Sequence, residues 1–111
     1  MELFTRFEKA TAEELHQGTI LGGPVLPKGL EAPFEHAWGY LDQPGEMEYH
    51  KHYKEEIYFI MKGEGFVRID GTEYPVKAGD VVRIPPDAWH TVINRNGEEL
   101  LWAGLWWPTK E

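Results

Sequence analysis

His50 and His52 flank a single lysine, Glu56 follows shortly after, and His90 stands far downstream. Residues two apart on a β-strand leave the same face, so both imidazoles of the His-Lys-His triplet can meet one ion. Glu56 opens the next apolar stretch, where a carboxylate can enter the same site. His90 lies near a turn, at the head of another strand-like run. Three imidazoles and one carboxylate suit a borderline or moderately hard divalent ion, without choosing among Mn, Fe, Co, Ni and Zn. Each residue also has an ordinary reading. Two histidines around a lysine on an acidic chain can line a solvated strand, His90 after Trp89 can be structural, and Glu55 and Glu56 can be surface charges. Joint spacing is what favours the metal.

The elements that must position these residues are short strands. Phe34–Leu41 is rich in aromatics and ends at the turn signal Asp42-Gln-Pro-Gly45. Met47–His52 and Glu56–Lys62 follow, then Phe66–Ile69 and Thr72–Val76 around Asp70-Gly71, a strong hairpin signal. Asp80–Ile84 stops at Pro85-Pro86, and His90–Asn94 and Leu100–Trp107 are joined by a turn at Asn96-Gly97. Upstream, Phe4 and Phe7 sit on an extended arm, and Thr11 with Glu14 matches a capping box, which predicts a helical turn over 12–16. Residues 17–33 read as loop and short strand. About eight strands separated by closely spaced turns imply an all-β sandwich or small antiparallel barrel. One domain is expected, with arm and loops over 1–33 and the barrel core over 34–107.

Composition agrees. Twelve glycines and eight prolines without a period imply many turns in a chain of 111 residues. The formal charge of −8 and the lack of a basic stripe set nucleic acid and anionic membranes aside. The absence of cysteine removes disulfides, thiolate catalysis, iron–sulfur clusters and the common structural zinc sites. The first residues lack the apolar run of a signal peptide, and no stretch approaches a membrane span, so a soluble cytoplasmic protein is expected.

The spacing resembles that of the cupin superfamily. Its first motif is matched by Gly45, His50-Lys-His52, Glu56 and Gly63, and its second by Gly79, Pro85, His90 and Asn94. Two positions depart from the pattern. Gly45 and His50 are one residue closer than usual, and Asp87 replaces the glycine after the prolines, where Asp tolerates a turn conformation better than most residues. The resemblance implies a jelly-roll (double-stranded β-helix) barrel and one divalent transition metal on His50, His52, Glu56 and His90, with Glu56 rather than Glu55 at the motif's glutamate position.

If Glu56 faces inward, so do Tyr58 and Ile60 by alternation, and Ile57, Phe59 and Met61 face out. Tyr58 is then a candidate for ligand contact and for proton transfer. His36, Trp38 and Tyr40 share one face of their strand, inner or outer, and Trp102 and Trp106 share another. His36, Trp38 and Trp102 are pocket candidates, although such aromatics also fill cores. The leading expectation is a metal-dependent enzyme acting on a small carboxylate or sugar derivative, of dioxygenase, decarboxylase or isomerase type. The competing one is a non-catalytic binding module that uses the metal as an anchor. The apolar outer face of 57–61 calls for a lid, either the chain's own arm or the partner of a homodimer.

Overall fold

The computed structural model describes residues 2–109. After a 3₁₀ turn at Lys9–Thr11 come ten strands: β1 (Glu13–Leu15), β2 (Ile20–Gly23), β3 (Glu35–Leu41), β4 (Gly45–Glu46), β5 (Lys54–Lys62), β6 (Glu64–Ile69), β7 (Thr72–Lys77), β8 (Val81–Ile84), β9 (His90–Asn94) and β10 (Leu100–Pro108). They form a six-stranded sheet in the order β1-β2-β3-β10-β5-β8 and a four-stranded sheet in the order β4-β9-β6-β7. Every strand pairing is antiparallel. The sheets do not close into one hydrogen-bonded cylinder, so the barrel is a flattened jelly roll. Among the described residues no helix is long and apolar enough to cross a membrane.

Alternation sets the core. Along β5, Glu56, Tyr58 and Ile60 are buried while Ile57 and Phe59 are only partly covered and Met61 is exposed. Ile20, Leu41, Tyr58, Ile60, Ile84, Leu100 and Trp102 of the larger sheet meet Val67, Val76 and Val92 of the smaller one. Apolar area hidden between two inner faces is the main favourable term for such a fold. The Asp70-Gly71 hairpin forms as expected, with φ of 47° and 86°, as a type I′ turn requires.

Two expectations are corrected. Residues 12–16 are not helical, because His16 and Gln17 take left-handed φ of 51° and 63° and turn the chain into the β1–β2 hairpin. The Thr11 hydroxyl donates back to the Glu8 carbonyl instead of capping. Strands run from Glu13 to Pro108. Finally, Met47–His52 is not one regular strand. Gly45 opposes Asn94 and Glu46 opposes Ile93, yet His50 opposes His90. Continuing the first register would put Tyr49 there, so one extra residue is absorbed between Glu46 and His50. Such a bulge shifts the facing of everything after it. It leaves Met47 buried, turns Tyr49 to solvent and sets His50 beside His90.

Candidate metal centre

The bulge brings His50 from the 47–52 segment against His90 at the start of β9, with ring centroids 4.2 Å apart. His50 and His90 exchange both backbone hydrogen bonds, at 3.2 and 2.8 Å. His52 lies 5.8 Å from His50 and 5.1 Å from His90 by the same measure. One ring nitrogen from each of the three falls within 4.8 Å of the others. Glu56, 5% exposed on the inner face of β5, completes the group. Its Oε1 lies 3.1 Å from His52 Nε2 and 3.2 Å from His90 Nε2.

Backbone carbonyls select the tautomers. Nδ1 of His50 donates to the Glu48 carbonyl at 2.7 Å, and Nδ1 of His90 donates to the Ala88 carbonyl at 2.8 Å. Each bond leaves an unprotonated Nε2 aimed inward, the usual preparation of a ligating histidine. His90 Nε2 is fully buried and finds no hydrogen-bond partner among the described residues. An orphaned acceptor in a sealed position needs a ligand. The Glu56 spacings to His52 and His90 match the roughly 3.0–3.4 Å expected between two ligands about 2.1 Å from one ion at ordinary angles. The three histidines can thus hold a divalent ion, with the Glu56 carboxylate beside them.

Electrostatics point the same way. Burial alone would push the Glu56 carboxyl up, but the His52 and His90 rings beside it outweigh that effect and hold it below the usual range. The hydrogen bond to Glu56 raises His52, against the effect of burial, whereas burial lowers His50. The site therefore presents an ionised carboxylate, a His50 that sheds its proton easily and a His52 that must release one when an ion enters. Glu55 lies on the other face, bound to Arg83 Nε at 2.6 Å.

A cavity of about 140 Å³ opens above this cluster, walled by Leu15, Ile20, Met47, Tyr58, Trp102 and Trp106, with His16 at its side. Tyr58 follows Glu56 on the inner face of β5. Burial and the negative charge of Glu56 push the Tyr58 phenol well above its ordinary value, so it stays protonated and is not a base. Trp102 serves both as core and as cavity wall. Trp38 borders the cavity while its ring packs edge-on against Phe7, 6.3 Å away. His36 is turned away. Its Nδ1 accepts from the amides of Val25 and Leu26, at 2.9 and 3.3 Å, because the inner face of β3 carries Ala37 and Gly39 instead.

Some contributors lie outside both motifs. A Cβ on Gly39 would fall 2.2 Å from the Trp102 indole, and one on Gly104 would press on Tyr58 and the Glu56 carboxylate. These two glycines leave the room that the Trp102 ring and the Glu56 carboxylate occupy. The only trace of this in the sequence is a glycine inside each of two strands.

Comparison with known proteins agrees with this geometry. A family model described as a cupin domain matches residues 40–108. Gentisate 1,2 dioxygenase 1 of Aquipseudomonas alcaligenes is 33% identical over 61 residues, 53% of this chain and 18% of that protein. An oxalate-binding protein of Thermotoga maritima is 40% identical over 52 residues, 46% of this chain and 43% of that one. The matches thus span less than half the length of these curated relatives. A cupin 2 conserved barrel domain protein of Salinispora arenicola superposes with a TM-score of 0.84 at 28% identity, covering 98% of this chain and 90% of that one. With both motifs folded onto one jelly roll and the family model spanning more than half its length, the chain belongs to the cupin family.

Proposed function

We propose that the protein is a metal-dependent enzyme acting on a small oxygenated molecule, a carboxylate in preference to a sugar derivative. The observation that carries this reading is the convergence of three imidazoles and one carboxylate on the floor of an aromatic-walled cavity. Its volume of about 140 Å³ has room for a body of a few carbons. A divalent ion held there would polarise an oxygen of the bound molecule. Trp102, Trp106 and Ile20 exclude water from the ligand's apolar part. Relatives named for dioxygenase activity and for oxalate binding fit a small oxygenated ligand.

The test has two steps. Protein purified without chelators or a histidine tag is expected to carry about one transition-metal ion per chain. Loaded with Mn, Fe, Co, Ni or Zn in turn, it is then assayed for turnover of a panel of two- to six-carbon carboxylates and sugars. Turnover dependent on one metal supports the enzyme. Tight binding with no turnover under any metal favours the anchoring module instead.

We also propose a homodimer formed through the outer face of the larger sheet. Met61 and Val81 are 52% and 59% exposed there, beside the half-covered Ile57 and Phe59. The arm does not solve this. Phe7 packs on Tyr40 of β3 at 4.8 Å, and β3 is two strands away from β5. Covering each large side chain is worth about 1.5–3 kcal/mol, enough together to drive association. Sedimentation equilibrium at micromolar concentration is expected to give twice the chain mass, and a clean monomer would sink the proposal.

A further inference from the structure

His16 belongs to neither motif, yet the fold delivers it to the cavity. It opens the β1–β2 turn, where His16, Gln17 and Gly18 take successive φ of 51°, 63° and 76°. Two consecutive non-glycine residues in that region are strained, and such strain persists only where the surroundings fix it. The Thr19 hydroxyl provides the fastening, donating to the His16 carbonyl at 2.6 Å and accepting from the Glu48 amide at 2.9 Å. The turn is thus bolted to the segment that carries His50.

The imidazole of His16 consequently lies against that of His50, with centroids 4.3 Å apart and a 36° tilt. Its Nδ1 stands 3.7 Å from Glu48 Oε1, while the Glu48 carbonyl takes the Nδ1 proton of His50. Glu48 therefore orients the ring of His50 and places a carboxylate beside that of His16. No described residue takes Nε2 of His16, and its side chain lines the cavity. Among the described residues neither lysine nor arginine lines that cavity, and apart from His16, His50, His52 and Glu56 the wall is mostly apolar.

Charge narrows the ligand. A divalent ion with Glu56 as its one carboxylate leaves a single net positive charge, which one carboxylate of a ligand would match. A second anionic group would find no cationic side chain among the described residues that line the cavity. The geometry points to His16 as the residue that recognises the far end of the ligand, its Nε2 accepting a hydrogen bond from a hydroxyl on a small, otherwise apolar monocarboxylate whose carboxyl end meets the metal cluster. This rests on the metal-binding reading above and adds the ligand class and the group that reads it.

A matched pair of probes, butyrate and 3-hydroxybutyrate, differs by one hydroxyl. Both are titrated into the cobalt-loaded full-length protein, with binding read from the visible absorbance of the ion. The wild type is expected to prefer the hydroxylated probe about tenfold, the scale of one well-formed hydrogen bond. His16→Ala should bind both probes alike while keeping one cobalt per chain, and His16→Gln should regain part of the preference through its amide oxygen. A wild-type protein that takes up no cobalt overturns the metal reading and this inference together. Cobalt uptake with no preference in the wild type, or with a preference that survives in His16→Ala, overturns the His16 assignment alone. Loss of cobalt from His16→Ala overturns it too, by making the residue a support of the metal.

Discussion

Replacing His50 or His90 with alanine is expected to abolish stoichiometric metal binding, whereas Glu55→Gln leaves it unchanged. Each histidine offers an Nε2 whose opposite nitrogen is committed to a backbone carbonyl, so replacing the ring removes a donor already aimed at the cluster. Even outer-shell changes around a metal commonly cost 10–100-fold in affinity, and loss of a direct ligand should exceed about 100-fold. Glu56→Gln removes the only negative ligand and should fall in the same range. Glu55 points to Arg83 on the far side of β5 and serves as the control. His50 is the cleaner variant for folding, because it is partly exposed while His90 is fully buried beside Glu56. Equilibrium dialysis against Zn or Mn, with thermal melts of the metal-free variants alongside, separates lost binding from lost structure. If Glu55→Gln emptied the site and Glu56→Gln did not, the inward register of β5 would be wrong.

The same site fixes the sign of the pH response. A metal takes only unprotonated imidazole, so protons compete with it. His52 is raised by its bond to Glu56 and therefore begins to compete first as pH falls through its elevated range. His50 is lowered by burial and joins further down, and Glu56, also lowered, stays ionised longer than an ordinary carboxyl. Affinity should be flat above the range of His52, fall about tenfold per pH unit below it, and steepen once His50 protonates. Occupancy that stayed constant to about pH 4 would rule out a three-histidine site.

Much of this site was legible in the sequence because the relevant periods are local. The parity of Glu56, Tyr58 and Ile60, the span His90–Asn94 and the Asp70-Gly71 hairpin each follow from residues within one element. What stayed hidden depends on partners elsewhere in the chain. His50 and His52 were expected on one face of a regular strand. They do face inward, but the residue that sets His50 opposite His90 is a bulge visible only against β9. The inner or outer face of His36, Trp38 and Tyr40 was undecidable within β3, since both faces carry apolar groups. It is settled by Gly39, which must accommodate Trp102 of β10. The Thr11–Glu14 capping pair is locally sound, yet the β1–β2 pairing and three left-handed residues override it. His16 reaches the cavity through that hairpin, which no spacing rule anticipates.

Gly63→Ala is expected to be the most damaging of the glycine substitutions within the two motifs. Gly63 joins β5 to β6, where the chain crosses from the larger sheet to the smaller. Its φ of +84° lies in the left-handed region, which costs a residue with a Cβ about 1–2 kcal/mol. That alone would be bearable. A Cβ there would also fall 2.0 Å from the Glu99 carbonyl oxygen and 3.3 Å from Leu100 Cα, both backbone atoms that cannot rotate away. Leu100 is fully buried at the start of β10, so relief means moving the strand that pairs with both β3 and β5. The total loss should exceed about 3 kcal/mol, a large share of the roughly 5–15 kcal/mol that holds a domain folded. Gly79 has φ +98° but open space around a Cβ, so Gly79→Ala should lose only the conformational 1–2 kcal/mol, order of magnitude. Gly45 is free of both problems, and Gly45→Ala should stay within about 0.5 kcal/mol of the parent. Urea unfolding of the three metal-free variants should therefore rank their midpoints Gly45→Ala, Gly79→Ala, Gly63→Ala from highest to lowest. A Gly63→Ala midpoint equal to that of Gly45→Ala would mean that β10 is not held against this turn as described.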